Sequence, residues 1–318
     1  MRSTSSPTPS PADALTASVL PRPVVRLAWG AVAYTLLVIL WGAFVRATGA
    51  GAGCGDHWPL CNGELIPTGA ARHTLVEFTH RITSGLALPL VILVAWRVFR
   101  TSERGAAVRR VAIASVVFMV LEAALGAGLV LFEYVAYNAS IARALWMAAH
   151  LANTFLLLAM MSLTAWWAGG RPIPRLRADG RTLAVGAALV GVLLLGAGGA
   201  VTALGDTLVL GGGLDPATDP VVATLVSARI YHPAMAFVAL FLIGWAVWTS
   251  IPAGPATVRM GMTVVGAMVF QMALGALNVV LMAPVWMQLV HLLVSDLIWI
   301  GLVLFASDAL AARDASPA

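Results

Sequence analysis

Four histidines, His80, His150, His232 and His291, each fall inside a run of apolar residues. At such a position an imidazole has two ring nitrogens to satisfy and little water to satisfy them. Their spacing is regular: His80 and His232 are 152 residues apart, and His150 and His291 are 141 apart. One such histidine is equally well explained by a hydrogen bond to a neighbouring helix, whereas four at matching positions imply built sites. Two imidazoles on adjacent helices can clamp the iron of a planar porphyrin between dry apolar walls. A structural zinc would draw its ligands to one point with cysteine or carboxylate help. These residues instead divide into His80 with His150 and His232 with His291, so two heme-iron pairs are expected. His57 and His73 fall in a polar segment and need no special burial.

The neighbours of the histidines break the symmetry. Glu77 precedes His80 by three residues, and Arg229 precedes His232 by the same interval, which puts each on its histidine's helix face one turn away. A guanidinium there can pair with a heme propionate and suits a permanently held, electron-transferring cofactor. A carboxylate suits reaction chemistry, moving protons or stabilising positive charge near the heme edge, with an ion pair to Arg81 as the simpler reading of Glu77. Glu122, Gln271, Asn278 and Asp296 are further polar residues in apolar runs. They are expected to be interhelical hydrogen-bond partners. Glu122 and Gln271 occupy one repeat position, where a role in orienting the iron ligands is also open.

The elements that must carry these residues are transmembrane helices. The 318 residues are 60% hydrophobic and 10% charged, with mean hydropathy +0.90, too apolar for a water-facing surface. Eight apolar runs near 27–46, 74–96, 110–132, 144–168, 182–203, 229–250, 260–282 and 287–307 approach the ~20 residues a bilayer crossing needs. The fold class expected is an all-α integral membrane protein of eight transmembrane helices, arranged as two pseudo-symmetric four-helix bundles over 27–168 and 182–307. A weak repeat supports the duplication, with Leu121–Ala127 matching Phe270–Ala276 and Gly42-Ala43-Phe44-Val45 matching Gly199-Ala200-Val201. The histidines then share one layer, one on each even-numbered span.

The net charge of +5 comes with nineteen basic residues, all arginine, and their placement reads as topology rather than nucleic-acid binding. Arg97, Arg100, Arg104, Arg109 and Arg110 follow the second span, and Arg171, Arg175, Arg177 and Arg181 follow the fourth. The 204–228 link holds Asp206, Asp215 and Asp219 with no basic residue. The arginine-rich links and both termini are therefore expected in the cytoplasm of a multi-pass cell-membrane protein. Residues 1–26 and 308–318 are expected as cytoplasmic tails, the first of them disordered. Trp96, Trp166, Trp167 and Trp286 are expected as interfacial anchors.

The two cysteines, Cys54 and Cys61, bracket a loop on the opposite, oxidising side, where a disulfide is expected and two free thiols are the alternative. A c-type heme attachment is excluded, because the loop reads Cys54-Gly-Asp-His-Trp-Pro-Leu-Cys61 without the C-x-x-C-H spacing.

At these residues the chain resembles the heme A synthase family. The motifs are Gly42-Ala43-Phe44-Val45-Arg46-Ala47-Thr48-Gly49, the Cys54–Cys61 loop continuing Asn62-Gly63, and Glu77-Phe-Thr-His80-Arg81, with similarity over about 27–307. The resemblance implies oxidation of the C8 methyl of heme O to a formyl group, giving heme A for cytochrome oxidase, by successive hydroxylations and loss of water. It implies a substrate heme with His80 and His150, heme b with His232 and His291, and a catalytic role for Glu77. Implied partners are the bilayer, heme O, an electron donor and the heme O synthase, with the oligomeric state left open. Some members carry a second cysteine pair between spans 5 and 6, which 204–228 lacks, so a redox scheme needing both pairs is not supported here. A di-heme b electron-transfer protein and a heme carrier are the alternatives that share the four histidines.

Overall fold

In a bilayer every backbone N–H and C=O must find its partner within the protein, which restricts this chain to helices. The computed structural model describes residues 19–68 and 70–311. Its helices are α1 (Arg22–Ala47), α2 (Arg72–Thr101), α3 (Ala107–Leu131), α4 (Ile141–Ala168), α5 (Gly180–Asp206), α6 (Pro220–Ser227), α7 (Tyr231–Thr249), α8 (Pro255–Val280) and α9 (Val285–Ala311). Among the described residues they form eight spans long and apolar enough to cross a membrane, as expected of an all-helical multi-pass protein.

The spans are longer than hydropathy alone suggests. Residues 204–228, expected as a link, are largely helical: α5 runs on through a π turn to Gly211, and α6 continues through a 3-10 turn over Ala228–Ile230 into α7. The restart has a local cause. Asp219 accepts hydrogen bonds from the backbone N–H groups of Val221 (2.8 Å) and Val222 (3.1 Å), and Pro220 occupies the first helical position, where its missing N–H costs nothing. The tail expected to reach residue 26 likewise ends earlier. Pro23 starts α1 in the same way, and Leu20, 3% exposed, donates its N–H to the carbonyl of Ala168. Residues 1–18 and 312–318, most of the two expected tails, lie outside the described residues.

The two halves share one apolar core rather than standing apart. Helix α4 packs on α5 and α9, and α1 reaches α9. At the centre Phe155 stacks on Trp299 at 5.1 Å, and the Trp299 indole N–H donates to the Phe155 carbonyl at 2.6 Å. Trp166 and Trp167 donate to Asp308 (3.0 Å) and Ser307 (2.9 Å) across the same seam. Trp167 is therefore an internal strut and not the interfacial anchor expected of it, whereas Trp96 and Trp286 are exposed. Consecutive spans alternate in direction, so all even-numbered spans begin at the end of the molecule that carries the cysteine loop. His80, His150, His232 and His291 are the ninth, tenth, thirteenth and seventh residues of their spans. They stand seven to thirteen residues into their spans, further along each helix than the shorter hydropathy runs implied.

Candidate heme site

Each of the four histidines lies against a glycine of the preceding span. A Cβ added at Gly42 would lie 2.9 Å from His80 Cε1, one at Gly199 would lie 3.1 Å from His232 Cε1, and one at Gly275 would lie 3.2 Å from His291 Cε1. At Gly126 the corresponding distance, to His150 Nε2, is 3.7 Å, an ordinary contact. The arrangement α1–α2, α3–α4, α5–α7, α8–α9 thus repeats one construction, a small residue opening room for a ring on the neighbouring helix. That recurrence is consistent with duplicated four-span units. The glycines were visible in the repeat, at the heads of Gly42–Val45 and Gly199–Val201, but sequence reasoning gave them no role.

The structure brings the C-terminal pair together, with the His232 and His291 ring centres 6.5 Å apart and their planes at 64°. Two metal–imidazole bonds of ~2 Å, with ~1.2 Å from each nitrogen to its ring centre, would span about 6.4 Å. His80 and His150 lie within electrostatic reach of each other. Nδ1 of His80, His150, His232 and His291 alike is closed off from solvent without a hydrogen bond among the described residues. The set of half-buried rings, apolar walls and matching separation fits an iron porphyrin. It does not resemble a compact cluster of metal-binding side chains, and none is present among the described residues.

Glu77 and Arg229 occupy their expected helical turns, and each has a charged partner. Glu77, 3% exposed, accepts from Arg81 Nη2 (2.6 Å), Arg81 Nε (3.1 Å) and the backbone N–H of Cys54 (2.9 Å). Arg81 also donates to the carbonyls of His57 and Leu60, both at 2.5 Å. The Cys54–Cys61 disulfide is formed, and its loop is fastened to the turn of α2 that bears His80. Gly53 makes this approach sterically feasible, since a Cβ there would come within 2.6 Å of the His73 carbonyl. His73 itself is not a loop residue but stands in the first turn of α2. Arg229 pairs with Asp206 at 2.6 Å, while its Nε remains enclosed and unpartnered among the described residues.

Arg46, to which the sequence reading gave no structural role, and Glu122, expected as an interhelical hydrogen-bond partner with a role beside an iron ligand left open, both have defined contacts. Arg46, near the end of α1, donates from Nη1 to the Ala203 carbonyl (2.8 Å) and Thr207 Oγ1 (2.5 Å), and from Nη2 to Gln288 Oε1 (2.9 Å). It ties the first span to the fifth and eighth, and its only sequence signal was a charge closing an apolar run. Glu122 on α3 faces His150: Oε1 lies 3.0 Å from His150 Nδ1, off the ring N–H axis. The same carboxylate accepts from Asn153 Nδ2 (2.6 Å) and from Thr154 Oγ1. Gln271, its counterpart on α8, donates to the His291 carbonyl (2.7 Å) and Ser295 Oγ (3.1 Å). Asp296, expected as an interhelical partner, is fully buried with both oxygens free of hydrogen bonds among the described residues, and Asn278 Oδ1 is likewise unpartnered.

Comparison with known proteins places this architecture. The profile of the cytochrome oxidase assembly protein family (COX15-CtaA) matches residues 25–303. The chain belongs to this family. Among similar curated proteins, "Protoheme IX farnesyltransferase" of Thermus thermophilus is 45% identical over 291 residues, 89% of this chain and 48% of that protein. "Heme A synthase" of Alkalihalophilus pseudofirmus is 41% identical over 97 residues, 30% of this chain and 33% of the relative. "Heme A synthase" of Bacillus cereus is 40% identical over 100 residues, 30% and 31% of the two chains. The chain spans about half the length of the Thermus relatives it matches. Membership in the cytochrome oxidase assembly family therefore rests on nearly the whole chain, while the heme A synthase likeness rests on about a third of it.

Proposed function

We propose that this chain is a membrane-bound heme-dependent oxidoreductase that converts the C8 methyl of heme O into the formyl group of heme A for a cytochrome oxidase. The observation that carries the reading is the fourfold pairing of a glycine with a histidine of the following span, two pairs in each half. The cytochrome oxidase assembly family and the heme A synthase relatives support the same reaction class. Two successive hydroxylations, each consuming an external two-electron oxidant and one oxygen atom, would take the methyl carbon to a geminal diol, and loss of water would leave the aldehyde.

In this reading His80 and His150 hold the substrate heme O, and His232 and His291 hold heme b. Bound heme b supplies one-electron transfer to the substrate site. Glu77 serves at the substrate edge as the group that holds or moves a proton. Its position supports that role, because it is buried one turn from His80 and keeps a fixed orientation through Arg81 and the Cys54 N–H. Arg229, with an enclosed Nε beyond its pairing to Asp206, serves a heme b propionate. The arginine-rich links α2–α3 and α4–α5 lie in the cytoplasm of the cell membrane with both termini, and the disulfide loop lies outside. The name of the Thermus relative supports a farnesyl-heme supplier as a partner.

The test is pigment analysis of the full chain expressed in a host that supplies heme O. Appearance of the formyl heme supports the synthase. Unchanged heme O beside two equivalents of heme b would overturn it in favour of a di-heme electron carrier.

A further inference from the structure

The two halves repeat the histidines and glycines but differ in what stands behind the second histidine of each pair. On α3 the residue is Glu122, whose carboxylate lies 3.0 Å from Nδ1 of His150. On α8 it is Gln271, a neutral amide that reaches the backbone carbonyl of His291 at 2.7 Å rather than its ring. Asn153 Nδ2 donates to Oε2 at 2.6 Å, and the Thr154 hydroxyl, which also lies 3.0 Å from the His150 carbonyl, meets Oε1, so the carboxylate is held in place beside the ring. Asn153 is held in turn by donating to the Phe118 carbonyl at 3.0 Å.

A carboxylate on the outer nitrogen of a ligating imidazole makes the inner nitrogen a stronger donor and fixes the ring's rotation. A neutral amide bound to backbone does neither for the ring. We propose that Glu122 is the positioning residue that differentiates the two sites, making His150 the strongly donating ligand of the N-terminal iron and lowering that iron's reduction potential relative to the C-terminal one. His80 carries no such support. Its ring is located by packing on Gly42, and the carboxylate contact is made to His150. This rests on the heme-pair reading above.

The experiment is a spectroelectrochemical titration of the full chain, purified with its own heme, for the native protein, Glu122→Gln and Glu122→Asp. Glu122→Gln retains the shape and removes the charge. It should raise the lower midpoint by about 59 mV, corresponding to a tenfold loss of preference for the ferric state in a one-electron couple, and leave the higher midpoint in place. Glu122→Asp keeps the charge and should return the lower midpoint towards the native value. An unmoved midpoint in Glu122→Gln overturns the proposal, as does an equal shift in both variants, which would reduce Glu122 to packing. Absence of heme from the native protein would instead sink the heme-pair reading itself, so the two failures are distinguishable.

Discussion

A glycine beside a ligand is a claim about volume, and volume can be tested one methyl group at a time. Gly42→Val places atoms where a Cβ already falls 2.9 Å from the His80 ring. We expect heme content to drop from about two per chain to about one, measured as pyridine hemochrome. Gly126→Ala is the matched control, since its Cβ would stand 3.7 Å from His150, and its heme content should be native. Glu77→Gln retains an acceptor for the Cys54 N–H and removes the charge. It should keep its heme while heme A formation falls about 100-fold, the low end for loss of a proton-transferring group. Full activity in that variant would withdraw Glu77 from the reaction. The histidines, Glu77 and Arg229 were legible in the sequence because burial of a polar group in an apolar run is costly, and so its presence is informative. The partner of each was not legible. Asp206 sits in a stretch that reads as a loop, and nothing in its spacing to Arg229 shows that the two meet at 2.6 Å.

At the level of the element, the cysteine loop shows how a short irregular segment is held on a helix. The amides of Cys54, Cys61 and Asn62 are bonded respectively to Glu77 Oε2, the Glu64 carbonyl and the Cys54 carbonyl. The disulfide closes a loop of sequence separation 7, which in the chain-entropy view contributes roughly 2 kcal/mol to that local order. A Cys54→Ser, Cys61→Ser double variant should therefore exchange these three amides about 30-fold faster, read by hydrogen exchange with mass detection, while the heme spectrum stays native. Exchange at the native rate would assign the order of the loop to Arg81 and Glu77 alone. Six of the eight spans were readable to within about five residues because apolar length is a strong signal, whereas the fifth runs eight residues further than expected, to Gly211. The start of the sixth was missed because Asp215 and Asp219 mark a turn and a helix cap in the same polar stretch, and the cap's effect depends on which amides it meets.

For the whole molecule, the question is what joins the halves. Arg46 makes three hydrogen bonds from α1 into the second half, to Ala203, Thr207 and Gln288. Removing a buried charged donor that leaves its acceptors stranded costs ~2–4 kcal/mol. Arg46→Leu should lower the thermal midpoint in detergent, and an unchanged midpoint would credit the seam of α4 and α9 alone. The faint repeat in the sequence is consistent with the recurring glycine–histidine contacts. The shared core was not visible in sequence, because two lone bundles and two fused ones require the same hydropathy pattern.

That seam has a consequence for how the chain tolerates change. Half of the apolar window of α4 and of α9 is enclosed by protein, against 17% for α8, whose open faces would meet lipid in a membrane. Swaps among leucine, valine and isoleucine in a saturation library should therefore be nearly free along α8, where fluid hydrocarbon adapts to any shape. Along the central pair they should be culled, because there each side chain meets a solid neighbour and has only one acceptable outline.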